Sequence, residues 1–339
     1  MTDETLAGYA NVSLYSAMAV FTIAMLCYAV YLAGLLPARD RAGAREAEAA
    51  VDRDRELVAA GAPAGEAESA ASATHAGRPG RPGKPDESDV PSRARAAAGI
   101  GATTTWLGGM LLLVSVVLRG LSVERWPLGN MFEFAVMGSM FTSIAFSVWA
   151  TKRDLRWLGL FITGPILLVL GMAVRVWYTE AAELLPSLQS YWLIIHVTVA
   201  VLATAIFTLG AAATAIYLVK DAFARSGRSS VLDRFPDTAS LERTAYGLHI
   251  VAFPLWTFTL IAGAIWARQA WASYWNWDPK EVWTFVIWVV YAAYLHSRAT
   301  SGISRQTASY IALAGYACII VNFAVVNVFF VGQHSYSGL

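Results

Sequence analysis

Eight long apolar runs follow one another along this chain, and its charges fall almost entirely between them. The runs cover residues 5–38, 96–118, 134–151, 157–174, 184–219, 244–267, 282–297 and 306–339. Each can hold a helix of about 17–25 residues, the length that crosses roughly 30 Å of hydrocarbon. The run 282–297 is short and relies on long flanking side chains that reach the interface. Within hydrocarbon a backbone must satisfy its own hydrogen bonds, and runs of this length do so as helices. An all-α, polytopic membrane protein with about eight transmembrane helices is therefore expected. Composition agrees: 57% hydrophobic and 14% charged residues lie far from the soluble average of about half apolar and a quarter charged.

Charge placement orients the threading. Twenty of the 25 Lys and Arg residues fall in the first, third, fifth and seventh connections. The remaining five, Arg119, Arg125, Arg175, Arg268 and Lys280, lie on the other side. By the positive-inside rule the basic side is cytoplasmic, so both termini are expected to be extracytoplasmic. The chain opens with Asp3 and Glu4 rather than a basic stretch, so its first run reads as a retained helix, not a removed leader. Cys27 and Cys318 sit within separate runs and read as small buried residues.

Three regions are expected. Residues 1–37 form an N-terminal transmembrane helix. Residues 38–97, with "GRPGRPGKPDESD" and hardly a large apolar side chain, form a disordered cytoplasmic linker, although part of 41–60 has the Ala, Glu and Arg content of a surface helix. Residues 98–339 form a seven-helix membrane domain. No internal repeat or phosphate-binding glycine loop is present, and the linker's acids offset its bases, which argues against nucleic acid as a partner.

Between the sixth and seventh runs lies "WASYWNWDPKEVW", residues 271–283. Six of the 13 Trp residues fall between 266 and 288, whereas an interfacial belt would spread them over all helix ends. Of five histidines, His75 lies in the linker, while ionisable groups in membrane helices are by default functional. His196, early in the fifth run, and His334, past the eighth, are expected at the level of the Trp cluster. His296 lies roughly 22 Å beyond Glu281 at 1.5 Å per residue, in the inner leaflet. His249 reads as a satisfied core histidine. Two imidazoles facing each other across an indole platform suit a haem: axial nitrogens for iron, flat faces for the macrocycle, and Arg119, Arg125, Arg175 and Lys280 as cations for the propionates.

The stretch also resembles the WWD motif of haem-handling proteins in cytochrome c maturation: Trp, small, x, aromatic, Trp, x, Trp, Asp, x, basic, acidic. Trp271, Ala272, Tyr274, Trp275, Trp277, Asp278, Lys280 and Glu281 fill that pattern. With "RGLSVERWPLGNMFEF", "LQSYWLIIHV", "FPLWTFTLIAGAIWA", "YLHSR" and "GQHSYSG", the resemblance covers residues 119–339 and is to the CcsA (ResC) type of System II cytochrome c biogenesis protein, labelled CcsB in actinobacteria. The resemblance implies that His196 and His334 ligate haem b in transit above the motif. It implies that His296 receives haem earlier, with its opposite ligand from a ResB-type partner subunit. The site would then comprise these three histidines with Trp271, Tyr274, Trp275, Trp277, Asp278 and the four cations.

The expected function is a haem relay in a bacterial cytoplasmic membrane, ending in covalent attachment to the CxxCH segment of an apocytochrome c. No residue reads as a nucleophile or general base, so catalysis would be templating. A haem exporter without ligase activity remains an alternative. So does a b-type electron-transfer subunit, although those pair two histidines on one helix and each helix here carries one. A structural membrane scaffold is a third.

Overall fold

The computed structural model describes residues 3–59, 90–183, 189–227, 232 and 235–334. Among them there is no strand, and eight long helices form the molecule. They are α1 (Glu4–Ala59), α2 (Ser92–Ser122), α3 (Met131–Ala150), α4 (Gly159–Arg175), α5 (Tyr191–Arg225), α6 (Thr238–Trp271), α7 (Pro279–Ala299) and α8 (Arg305–Ile320). The last continues through a π-helical segment, Val321–Val326, into Asn327–Phe329. Seven of the eight are long and apolar enough to cross a membrane by length and composition, α7 being the exception. The chain is a multi-pass helical membrane protein.

The helix starts follow from local chemistry. Asn130, Ser190, Asp237, Asp278 and Ser304 each accept a hydrogen bond from a backbone N–H of the following first turn, where those donors lack an intrahelical partner. One boundary differs from expectation. Helix α1 runs on to Ala59 and α2 begins at Ser92, so the segment read as a linker is helical at both its ends. The Ala-, Glu- and Arg-rich residues after 40 have high intrinsic helix propensity. Residues 60–89, with His75, lie outside the described residues.

Close packing of small residues joins α1 to α2, as is usual where no hydrophobic force acts between helices in lipid. Gly108 lies under Phe21 and Gly101 under Tyr28, while Ser13 donates to the Leu111 carbonyl and Ser115 to that of Ala10. Helix α5 packs along α6, and α7 along α8. Cys27 and Cys318 are both free and half-buried rather than fully buried. His249 is fully buried: Nε2 meets Thr214 Oγ1 at 3.1 Å and the ring packs among Phe207, Tyr291 and Tyr294.

Candidate functional site

Helix α6 ends at Trp271, Ala272 takes a left-handed conformation (φ 57°), and Trp277 does so again (φ 59°) just before α7. Such angles are costly for a side chain as bulky as Trp and persist only where the surroundings impose them. The imposing groups are two carboxylates. Glu281 Oε2 accepts from the N–H of Asn276 (2.8 Å) and of Asp278 (3.1 Å), and Asp278 Oδ1 accepts from Lys280 N (3.0 Å), forming a capping box.

Asp278 also reaches the chain beyond α8. Its Oδ2 accepts from Gln333 N (2.6 Å) and its Oδ1 from His334 Nδ1 (2.9 Å), while Asn276 Nδ2 donates to Gln333 Oε1 (3.1 Å). Gly332 passes so close to the Asp278 carboxylate that any Cβ there would collide with Oδ2. The tryptophan-rich connection and the C-terminal segment are thus tied into one unit.

His196 approaches from α5. Its Nδ1 lies 2.9 Å from the Thr259 carbonyl and its ring lies 6.0 Å from Trp266 at 18°. A Cβ on Gly263 would sit 2.7 Å from its Cε1, so only glycine leaves room for the ring. Trp266, 1% exposed, contacts both imidazoles, with His334 5.8 Å away at 69°. Trp271 lies 4.7 Å from His334 and 4.8 Å from Trp266. In both histidines the ring nitrogen facing an acceptor is Nδ1, which assigns its proton there and the lone pair to Nε2.

His196, His334, Trp266, Tyr274, Trp275 and Lys280 line one cavity of about 160 Å³. An apolar hollow of about 700 Å³ between α3, α4, α5 and α8 adjoins it, with Phe134, Thr204, Ile319 and Phe323 common to both walls. The wall between them carries the stacked pair Phe134–Phe323, 5.2 Å apart at 29°.

The other expected site residues lie elsewhere. Trp277 is 76% exposed and meets Trp275 edge-on at 5.8 Å. Arg119 and Arg125 are turned from the cavity onto Glu133, whose fully buried side chain accepts from Arg119 Nε (2.9 Å), from Arg125 Nη1 and Nη2 (both 3.0 Å) and from Gly129 N (2.7 Å). A buried carboxylate left unpaired is so costly that it claims both guanidinium groups. Arg119 also donates to the Thr179 carbonyl and Arg125 to that of Ala182, so the three residues staple two connections together. Arg175 is exposed at the end of α4. His296 is exposed on the last turns of α7, away from the cavity.

Sequence reading passed over Trp266, Thr259, Gly263, Gly332 and two asparagines, Asn322 and Asn327, on the cavity wall. Gly263 in "LIAGAIWA" and Gly332 in "VGQHSYSG" were the available signal, since each is placed where a close approach permits no side chain.

The fold and this cavity define a class: a multi-pass helical membrane protein with two imidazoles meeting at a tryptophan wall. A family model described as cytochrome C assembly protein matches residues 126–334, more than half the chain. The chain belongs to that family, and its role lies in cytochrome c maturation. Among its relatives are two called cytochrome c biogenesis protein CcsA. That of Guillardia theta is 31% identical over 262 residues, covering 71% of this chain and 86% of the relative. That of Synechococcus sp. (strain RCC307) is 31% identical over 257 residues, covering 67% and 81%.

Proposed function

We propose that the protein carries haem b within a bacterial cytoplasmic membrane to the tryptophan-walled cavity and holds it there for attachment to an apocytochrome c. One observation carries this reading: His196 and His334 line a single cavity and both rings contact Trp266, each with Nδ1 tied to an oxygen. Two imidazoles so oriented offer Nε2 to one iron. Trp271, Tyr274 and Trp275 supply faces and edges for the macrocycle, Lys280 a cation, and Asp278 fixes the ring of His334. Trp277 is carried at the rim. Arg175 is the remaining candidate for a carboxylate at the outer surface, while Arg119 and Arg125 serve as structural partners of Glu133.

The cavity is smaller than the roughly 300–1,000 Å³ of ordinary small-molecule pockets. Loading therefore requires the tied unit of connection and C-terminal segment to part from α5. His296, exposed on α7, is the earlier acceptor, with the second ligand from a ResB-type partner. The active face and both termini are extracytoplasmic, in keeping with the distribution of Lys and Arg.

At the cavity each cysteine of the CxxCH segment adds across one haem vinyl group. A C–S bond forms at the carbon next to the ring, the vinyl π bond breaks, and the thiol proton passes to the terminal carbon. The protein's part is orientation and electrostatics. The test is purified protein with its ResB-type partner, haem and an apocytochrome peptide. A thioether-linked product is expected, and haem release without thioether formation would instead make the protein an exporter.

A further inference from the structure

The winding of α8 changes from α to π between Val321 and Val326, beside the cavity. A π turn hydrogen-bonds residue i to i+5, which brings residues five apart nearer to one side than an α turn does, and such turns are frequent at functional sites. Asn322 and Asn327 are such a pair, 6% and 7% exposed, and both line the cavity.

Their amide nitrogens are engaged. Asn322 Nδ2 donates to Thr284 Oγ1 (3.3 Å) and Asn327 Nδ2 to the Phe323 carbonyl (2.9 Å). Thr284 Oγ1 donates in turn to the Lys280 carbonyl (2.7 Å), so towards Asn322 it acts as acceptor, which fixes that carboxamide's orientation. Left over are Asn322 Oδ1 and Asn327 Oδ1, both buried without a partner. Buried acceptors in native proteins are normally satisfied, and both of these belong to side chains that line the cavity. Beside them Lys280 Nζ donates to the Asn322 backbone carbonyl (2.8 Å), and an ammonium has further N–H bonds to give.

The occupant must therefore accept from Lys280 and donate to an asparagine. An ionised carboxylate only accepts, as does an ester, whereas a carboxyl group that keeps its proton does both. We infer that Lys280, Asn322 and Asn327 form a carboxyl subsite that takes one propionic side chain of the haem together with a proton. Its O–H donates to a carboxamide Oδ1 and its other oxygen accepts from Lys280. This rests on the haem reading above and deepens it. The subsite would set the rotation of the porphyrin about the axis between the two imidazoles, turning the vinyl edge away from α8, towards the side from which thiols must arrive.

The experiment compares haem with haem dimethyl ester, titrated by absorbance into the full chain with its ResB-type partner in lipid nanodiscs. Wild type is expected to bind haem at least about tenfold more tightly than the ester, because a site built around a hydrogen bond rejects the analogue that lacks it. Asn322→Leu and Asn327→Leu should each weaken haem binding about tenfold and leave the ester within about twofold of wild type, whereas Lys280→Met should weaken binding of both ligands, since an ester oxygen also accepts from the ammonium. Equal affinity of wild type for the two ligands overturns the subsite, and this comparison needs no variant to fold. Ester binding that falls as far as haem binding in the asparagine variants overturns it too. A bis-imidazole spectrum without discrimination removes the subsite alone, as would an ordered water occupying it. Absence of a bis-imidazole spectrum with either ligand removes the haem reading and the subsite together.

Discussion

Asp278 is the residue on which most of the site converges: helix cap, anchor of Gln333, and hydrogen-bond partner of His334. Burial opposes ionisation of its carboxyl, but the hydrogen bond from His334 and the N–H groups of Lys280 and Gln333 hold it below its usual range. An acid lowered in this way contributes in full above its ordinary value of about 3.9 and is lost only as pH falls through its folded value. Retention of haem should accordingly show no Asp278-dependent loss from neutral pH down to about 5, by absorbance of the pre-loaded protein. Asp278→Asn should reduce retained haem about 10- to 100-fold, the usual effect of removing an imidazole's orienting partner. His196→Ala and His334→Ala should each abolish c-type cytochrome maturation and be partly restored by added imidazole. Normal cytochrome c levels in both variants would end the ligand assignment. Of these residues the histidines and Asp278 stood out in the sequence because charge and indole density surround them. Gly263 and Thr259 did not, since nothing in the chain's order says that a helix six carbonyl will meet an α5 imidazole.

At the scale of elements, α3 depends on the knot at its first turn. Glu133→Gln leaves two guanidinium groups facing each other with no carboxylate between them, and should destabilise the fold by roughly 3–5 kcal/mol, read as a lower midpoint of thermal unfolding in detergent. Conserved haem binding at an unchanged midpoint would contradict this assignment. Here the sequence misleads for a definable reason: an arginine at an outer helix end serves a haem propionate or a buried glutamate equally well, and only the three-dimensional neighbour decides. Elsewhere the element scale was legible. The apolar runs anticipate the helices, including the weakness of α7, because helix formation in hydrocarbon is a local requirement of the backbone. The π turn in α8 was not legible, since "VNFAVVNVFF" reads as one more apolar helix until Asn322 and Asn327 are seen to share a wall.

For the whole molecule, the distribution of Lys and Arg gives a threading that can be measured: alkaline phosphatase fused after residue 339 should be active, and a fluorescent protein fused there dark, with the reverse for fusions within residues 60–89. The opposite pattern would place the cavity on the wrong face for cytochrome c maturation. Cavity size adds a second expectation at this scale, that haem loading separates the C-terminal segment from α5 as one body with the tryptophan-rich connection. The order of hydrophobic and charged residues by itself determined that this is an all-helical membrane protein, because burial in lipid and the siting of cations depend on composition within each run. It also marked His196, His334, Tyr274, Trp275 and Lys280, which line the cavity. What only the tertiary structure decided is which of them meet: that Trp266 contacts both imidazoles, that Arg119 and Arg125 belong to Glu133, and that two carboxamides line the cavity wall. Those outcomes rest on contacts between segments distant in sequence, and such contacts are settled by packing geometry and the pairing of buried polar groups, not by any local preference of the chain.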